Sequence, residues 1–454
     1  MKIIIVGCGK IGSTILRSLV NEGHEVVGID NDPAVISDIS TIFDAMFVEG
    51  NGADSDALLE AGVRDCELLA AVTASDELNM LCCYLAKKMG ARHTIARIRT
   101  PEYNDRSLSF MRQHLEISMA INPDLQAAEE IFNMLKLPEA ATIESFSRRS
   151  FEMIELRLKP DSRLDGMSLI DVRKQYDAKF LVCTVQRDEQ MFIPGGHFVL
   201  KSGDKISITA ENAEAQKLFR QLGLTSKRAK NAIILGASRI SYYLAKMLLA
   251  HGFSVKIIEK DRERCEQFSA LLPKAIMICG DGAKQELLIE EGVRDVDAFI
   301  ALTGMDEQNI LISFYVASLN VPKVISKVNK QELSNIAETL GIDSIVSPQK
   351  IVSETLSRYA RALENSLGSS VETLYKIHDG KAEALEFIVE PEFKYCGITL
   401  KDMKIKPNIL VAGIIRDRST VIPGGNDRIH PGDRVVIIAE GAKLVNLSDI
   451  VSGQ

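Results

Sequence analysis

The chain repeats itself, so any fold proposed for one half must also suit the other. Asn231–Asp261 aligns with Lys2–Asp32 without a gap. Gly7 returns as Gly236 and Asp30 as Glu259. Gly50–Ala53 returns as Gly280–Ala283, and Gly62–Asp65 as Gly292–Asp295. Thr73, Asp76, Glu77 and Asn79 return as Thr303, Asp306, Glu307 and Asn309. Arg97 becomes Lys327, and Asn122–Pro123 becomes Ser347–Pro348. Further along, Ile193–Gly196 returns as Ile422–Gly425, and Gly203–Asp204 as Gly432–Asp433. A tandem duplication of one two-part unit follows.

The unit begins with a strand, a glycine turn and a helix. Ile3, Ile4, Ile5 and Val6 form a β-branched run suited to a buried parallel strand. Gly7, Gly9 and Gly12 follow in G-x-G-x-x-G spacing. Lys10–Asn21 has helical periodicity, with Ile11, Ile15, Leu16 and Leu19 on one face. Glu25–Ile29 is a second strand, closed by Asp30. In a dinucleotide site Gly7 permits the turn, Gly9 lets a pyrophosphate approach the backbone, and Gly12 lets the helix pack close to the sheet. The helix N-terminus offers unpaired N–H groups to phosphate. Asp30 stands where a carboxylate accepts from ribose hydroxyls, which argues against NADP but not among NAD, ATP, ADP and AMP.

The second loop reads Gly236-Ala237-Ser238-Arg239-Ile240-Ser241, with serines in place of the second and third glycines. A Cβ at 238 crowds the pyrophosphate path, and Glu259 is a methylene longer than Asp30. This half is expected to hold a mononucleotide rather than an extended dinucleotide, if it holds either.

After Asp30 the βα rhythm continues. Strands are expected at Ala45–Val48, Glu67–Val72, His93–Ile98 and Ile117–Ile121, with helices at Asp54–Glu60 and from Ser75, the N-cap, to Met89. Ligands of an open doubly wound sheet bind outside the carboxyl ends of its strands. Gly7–Gly12, Asp30, Asn51, Thr73 and Arg97 belong at that edge. Asn122–Pro123 opens a further helix that either packs on the core or crosses to a neighbouring subunit. From Glu144 the pattern changes: Phe151–Leu158 and Phe180–Val185 alternate, Pro194–Gly196 and Gly203 mark turns, and Glu211–Leu222 is a short helix. That is a small α+β module without an acid pair, nucleophile or metal cluster.

The expected fold is α/β: two Rossmann-like doubly wound parallel sheets, each followed by a small α+β regulatory domain. The spans are 1–137, 138–225, 226–366 and 367–454. At 454 residues the chain is too long for one ordinary core. A net charge of −8 disfavours nucleic-acid binding. The eight cysteines form no C-x-x-C pair, the Cys82–Cys83 neighbours read as buried small hydrophobes, and a reducing cytoplasm suits the composition. The apolar run before Gly7 is only four residues, so no signal peptide is expected. The longest uncharged stretch, Gln308–Pro322, is 15 residues, short of a membrane span.

The ordered set G-x-G-x-x-G…Asp, G-N/D-G-A, T…D-E-x-N, I-P-G-G and G-D resembles the regulatory nucleotide-binding (KTN/RCK) subunits of bacterial potassium uptake, the Trk-system protein A family. The resemblance covers essentially the whole chain. It implies a cytoplasmic, non-enzymatic subunit, peripheral on the inner face of the membrane. Such a subunit assembles as a dimer or a tetrameric ring on a membrane-embedded potassium transporter. NAD or NADH, and also ATP or ADP, are the implied ligands. By motif, Gly7, Cys8, Gly9, Lys10, Ile11 and Gly12 would hold phosphates, and Asp30 the ribose beside Asn31. Asn51, Thr73 and Ala74 would line the cleft, with Arg97 at its far side. Gly236, Glu259, Asp281 and Thr303 are the second-half counterparts. Ligand binding would gate the transporter allosterically through a hinge at Asn122–Pro123. The alternative is an NAD-dependent dehydrogenase, which would need a general acid or base beside the nicotinamide. A soluble NADH-sensing transcription factor would need a basic helix-turn-helix that the chain lacks.

Overall fold

Short, fully buried apolar runs build the first sheet. The computed structural model describes residues 1–101, 103, 105–135, 141–146, 151–188, 190–224, 229–342, 344–365, 371–377, 382–416, 419–441, 444 and 446–452. The strands are β1 (Lys2–Val6), β2 (Glu25–Asp30), β3 (Met46–Glu49), β4 (Leu68–Ala71), β5 (His93–Arg97) and β6 (Met119–Ile121). They lie parallel in the order β3-β2-β1-β4-β5-β6. Ile3, Ile4 and Ile5 are sealed from solvent because helices cover both faces of such a sheet. Val6 is in register with Ile29 on one side and Ala71 on the other. The residues that follow each of these strands therefore meet at one edge, where the strand order reverses about β1.

The small module after it holds β7 (Ala141–Phe146), β8 (Phe151–Arg157), β9 (Phe180–Arg187), β10 (Gln190–Phe192) and β11 (Lys205–Ala210). They form an antiparallel sheet in the order β10-β9-β11-β8-β7. The second half repeats both sheets. β12 (Asn231–Leu235), β13 (Ser254–Glu259), β14 (Ile276–Cys279), β15 (Ala298–Ala301), β16 (Lys323–Lys327) and β17 (Ser344–Val346) run parallel in the order β14-β13-β12-β15-β16-β17. β18 (Val371–Ile377), β19 (Ala382–Ile388), β20 (Ile409–Arg416), β21 (Ser419–Val421) and β22 (Arg434–Ala439) form the second antiparallel sheet, ordered β18-β19-β22-β20-β21.

Two compact units result, and each takes one piece from each half. Met1–Phe132 joins Lys230–Ala360, and Asn133–Ala229 joins Arg361–Gln454. In the first unit the parallel sheets are linked through their helices. Ser353, on the helix Pro348–Asn365, donates through Oγ to Thr14 O at 3.4 Å, and Ser357 Oγ lies 2.9 Å from Ser18 Oγ. Phe132, near the end of the helix Pro123–Met134, packs its ring against His251 with centroids 4.6 Å apart and the planes tilted by 51°. The helix that opens at Asn122–Pro123 thus reaches the other half of the same chain. Asn122 caps it, accepting from Leu125 N at 3.0 Å.

In the second unit the antiparallel sheets share an apolar cluster. Met153, Cys183 and Met191 pack with Ile377, Ala384, Ala412 and Val436. The G-D motif finds its reason here. Asp204 receives Arg187 through two bonds of 2.7 and 2.8 Å, and Asp433 receives Arg416 through two of 2.8 Å. Each is a bidentate pair that ties a hairpin to the turn that follows it and leads into the next strand.

In the first half, sequence periodicity overlooks three helices. Pro33–Ser40 is capped by Asp32, which accepts from Ala34 N at 2.9 Å. Leu169–Gln175 is capped by Ser168, and Asp105–His114 precedes β6. All three are short, so their apolar positions are too few to establish a period. Among the described residues no helix is long and apolar enough to cross a membrane.

Candidate functional site

The glycine turn after β1 has the backbone its spacing demands. Gly7 has φ +92°, and a Cβ there would come within 2.9 Å of Thr73 N. Its amide donates to Ile29 O at 2.8 Å. Asp30 closes the loop from the neighbouring strand: Oδ2 accepts from Cys8 N at 2.7 Å and Oδ1 from Asp32 N at 3.0 Å. A carboxylate oxygen accepts more than one bond, so lone pairs remain for a ribose. The helix Lys10–Asn21 begins at Gly9 with no side chain capping it, and a Cβ on Gly9 would meet nothing within 4 Å. Its first-turn amides are therefore open to an anion. Gly12 has a different role from the expected one of approach to the sheet. Its Cβ would lie 1.9 Å from Gly7 O, so its smallness lets the helix start against the turn itself.

Thr73 and Asn79 brace the opposite lip. Asn79 Oδ1 accepts from Thr73 N at 2.8 Å and from Thr73 Oγ1 at 2.7 Å, while Nδ2 donates to Thr73 O at 3.2 Å and Arg97 O at 2.9 Å. Asp76 Oδ2 accepts from Arg99 N and Thr100 N at 2.9 and 2.8 Å. In the T…D-E-x-N pattern the buried Asp76 and Asn79 thus brace the ends of β4 and β5, while Glu77 faces solvent. Ser75 caps the following helix, accepting from Leu78 N at 3.2 Å.

These pieces surround a cleft of about 750 Å³. Gly7, Gly9, Lys10, Ile11, Gly12, Asp30, Asn31, Asn51, Thr73, Ala74 and Arg97 all line it. Cys8 does not: its side chain is buried, its Sγ donates to Ile29 O at 3.6 Å, and burial pushes its thiol up to about 12. Only its amide serves the loop. Arg97 is 6 % exposed and donates to Thr73 O, while its Nε has no partner among the described residues. A buried guanidinium N–H without a partner is costly, so this end of the cleft is built for an acceptor.

The far wall comes from the second half. Ile240, Lys327, Asn329, Pro348 and Gln349 line the same cleft, with Asp124 beside them. Lys327 is the counterpart of Arg97, so equivalent cations of both halves face one cavity. Burial lowers the Lys327 ammonium, with Asp306 and Asp124 opposing, and burial lowers Arg97 to about 10. Burial likewise raises the Asp124 carboxyl, with Arg99, Arg239, Arg97 and Lys327 acting against it. Arg97, Arg99, Arg239 and Lys327 outnumber the neighbouring Asp76, Asp124 and Asp306, which leaves this end electropositive and suited to phosphate. Periodicity within one half carries no sign of Lys327, Gln349 or Asp124 at this site; the pairing of Arg97 with Lys327 across the duplication was the available clue.

The second-half counterparts gather in the same way around their own loop. Gly236 has φ +96°, and its amide donates to Ile258 O at 2.8 Å. Glu259 accepts from Ala237 N at 2.7 Å and Asp261 N at 3.0 Å, and is 8 % exposed. Asn309 braces Thr303 as Asn79 braces Thr73, and Asp281 accepts from Ala283 N at 3.0 Å as Asn51 does from Ala53 N. None of Gly236, Glu259, Asp281 or Thr303 lines the first cleft. Here Ser238 caps the helix Arg239–Ala250, accepting from Ser241 N at 3.2 Å, and Ser241 Oγ donates to Gly236 O at 2.5 Å. Among the described residues no group of three or more His, Cys, Asp or Glu side chains is placed to hold a metal ion.

Known proteins share this arrangement. Residues 3–123 and 232–348 match the TrkA-N domain, and 153–223 and 384–450 match the TrkA-C domain. A Trk system potassium uptake protein TrkA homolog of Archaeoglobus fulgidus is 31% identical over 451 residues, 99% of this chain and all of that protein. The Trk system potassium uptake protein TrkA of Vibrio alginolyticus is 28% identical over 98% of this chain and 97% of its own. Among solved structures, the GsuK channel bound to NAD superposes with a TM-score of 0.64 at 15% identity, over 97% of this chain and 77% of that one. GsuK bound to ADP gives 0.51 at 13% identity, over 80% and 69%. These two likenesses speak to the fold.

Proposed function

The chain belongs to the TrkA family of paired TrkA-N and TrkA-C domains, and from that premise we propose that it is a nucleotide-sensing regulatory subunit of a potassium uptake system, not an enzyme. Its ligand is an adenine nucleotide: NAD or NADH, or ATP or ADP. Binding changes the conformation of a homo-oligomer, a dimer or a ring, on the inner face of the membrane, and so gates a potassium transporter. The domains run 1–137, 138–225, 226–366 and 367–454, with the first sheet as the principal nucleotide site. Proteins whose names report potassium uptake, over the full length of this chain, support the physiological setting.

One observation carries the mechanism: the first cleft is floored by one half and walled by the other. In this reading the glycine turn and the uncapped helix take the diphosphate, and Asp30 takes the adenosine ribose. Lys10, Arg97 and Lys327 meet whatever lies beyond. NAD, ADP and ATP share the adenosine end and differ in charge and bulk past the phosphates. Those differences fall where Lys327 and Gln349 reach across, so each ligand stabilises its own spacing of the halves. A ligand shifts an equilibrium only by its differential affinity for the two states, and a cleft with walls from two sheets supplies that difference.

Calorimetry with NADH, NAD, ATP and ADP on the full chain, followed by potassium flux in proteoliposomes holding the transporter, tests this. Binding at about one nucleotide per first cleft and a ligand-dependent flux are expected. Flux indifferent to all four, or turnover of NADH by the purified chain, overturns it.

A further inference from the structure

Two cysteines of the second half converge on one residue. Cys279 ends β14, in register with Glu259, and is exposed. Cys265 lies on the helix Arg262–Leu271, is 6 % exposed, and donates through Sγ to Glu259 O at 3.3 Å. Cys265 and Cys279 thus flank the same Glu259 backbone, one through its Sγ donor and the other as strand partner, close enough for the two thiols to influence each other. The matching positions of the first half hold no such pair: Ile36 stands at the place of Cys265, and Glu49 pairs with Asp30 as Cys279 pairs with Glu259. The other six cysteines are buried or partly buried. A small hydrophobe in a core explains Cys265 alone; it does not explain an exposed thiol set against it.

We propose that Cys265 and Cys279 form a reversible disulfide in response to a hydroperoxide, which makes the second half a thiol-redox sensor. Exposure puts Cys279 first. Its thiolate attacks one oxygen of hydrogen peroxide, the O–O bond breaks, and the departing hydroxide is protonated to water; Cys279 becomes a sulfenic acid. The Cys265 sulfur then attacks the Cys279 sulfur. The S–O bond breaks, the Cys265 proton leaves with the hydroxide as a second water, and the S–S bond forms. Two thiols lose two electrons, and one peroxide is reduced to two waters. Burial raises the Cys265 thiol, with Cys279 and the nearby acids acting the same way, which keeps it from meeting peroxide first and makes it the slower, resolving thiol.

The bond would act on the loop that faces the second glycine turn. Glu259 O accepts from Gly280 N at 2.8 Å as well as from Cys265. Oxidation withdraws the thiol donor and ties the helix Arg262–Leu271 to the strand end that leads into Gly280–Asp281–Gly282. This half, whose phosphate loop is filled by serines, would then carry a redox signal.

The test treats the native full-length chain with hydrogen peroxide, alkylates remaining thiols, digests with trypsin and weighs the peptides. Cleavage after Arg264, Lys274 and Lys284 places the two cysteines on separate peptides, Cys265–Lys274 and Ala275–Lys284. The expected product joins them with the loss of two hydrogens, lowers the free thiol count from eight to six, and reverts with dithiothreitol. Cys279→Ser should leave Cys265 unoxidised at the same peroxide dose, and Cys265→Ser should leave Cys279 as an over-oxidised acid. A native chain in which Cys279 is over-oxidised, remains alkylatable, or links to any thiol other than Cys265 overturns the proposal.

Discussion

The two glycine turns share a backbone and differ in who occupies it. Gly7 and Gly236 have φ +92° and +96°, both amides reach the neighbouring strand at 2.8 Å, and both loops are held by an acid at 2.7 Å. In the first, the helix begins uncapped at Gly9 over open space. In the second, Ser238 takes the Ser241 amide and Ser241 takes the Gly236 carbonyl. One of the orphan amides that would grip a phosphate, Ser241 N, is satisfied there by the protein itself. Duplication thus keeps the fold while two hydroxyls change what the second loop presents. The acids follow suit: Glu259 is buried, whereas Asp30 lines the cleft.

The harshest test of this contrast rewrites the first loop as the second. Gly9→Ser should fold, because a Cβ there meets nothing within 4 Å and Ser238 already holds the matching place in the second half. Losing two or more charge-assisted bonds, each about 1.5–3 kcal/mol, should weaken adenine-nucleotide binding by more than about 100-fold in calorimetry. Affinity retained within a few-fold would break the comparison.

Asp30→Ala should lower affinity roughly 10- to 150-fold, from one charged hydrogen-bond partner at about 1.5–3 kcal/mol. Glu259→Ala should spare the first cleft; equal losses in both variants would mean the second acid also serves a ligand. Lys327→Gln should reduce affinity by roughly tenfold, about 1.4 kcal/mol, and more for ATP than for NAD if the cation meets the distal phosphates. No change would remove the second half from the site.

The smallest effect concerns the antiparallel sheets, where the halves agree instead of differing. Burial works against the charged form of Asp433, but Arg416 and the His430 amide hold its carboxyl below the usual range. A lowered carboxyl stabilises the fold above its unfolded value, about 3.9, and that contribution disappears as pH falls through the folded value. Melting temperature should decline as pH is taken below about 4, and the decline should be shallower in Asp433→Asn.

Much of this was legible beforehand. The strand–turn–helix around Gly7, the acid ending β2, the caps at Ser75 and Asn122, and the α/β then α+β rhythm rest on neighbours in the chain, where spacing and periodicity speak directly. Strand ends moved by a residue or two, since apolar runs extend past the last ladder bond: Ile117–Ile121 shortened to Met119–Ile121. Motifs that read as functional proved partly structural. Asn79 is a buried brace, and Asp204 is a hairpin ion pair. Cys8, counted among the phosphate contacts, gives only its amide.

What the amino-acid order determined alone was the fold of each piece and the chemistry of the first loop, because a Gly at φ +92° or an Asp opposite an amide is a matter of local geometry. What tertiary structure decided was the company each piece keeps. Like sheets join across the duplication, the helix from Pro348 packs against the first half, and Lys327 arrives opposite Arg97. Those meetings depend on which helix faces fit together over hundreds of intervening residues, and no short-range pattern encodes that fit.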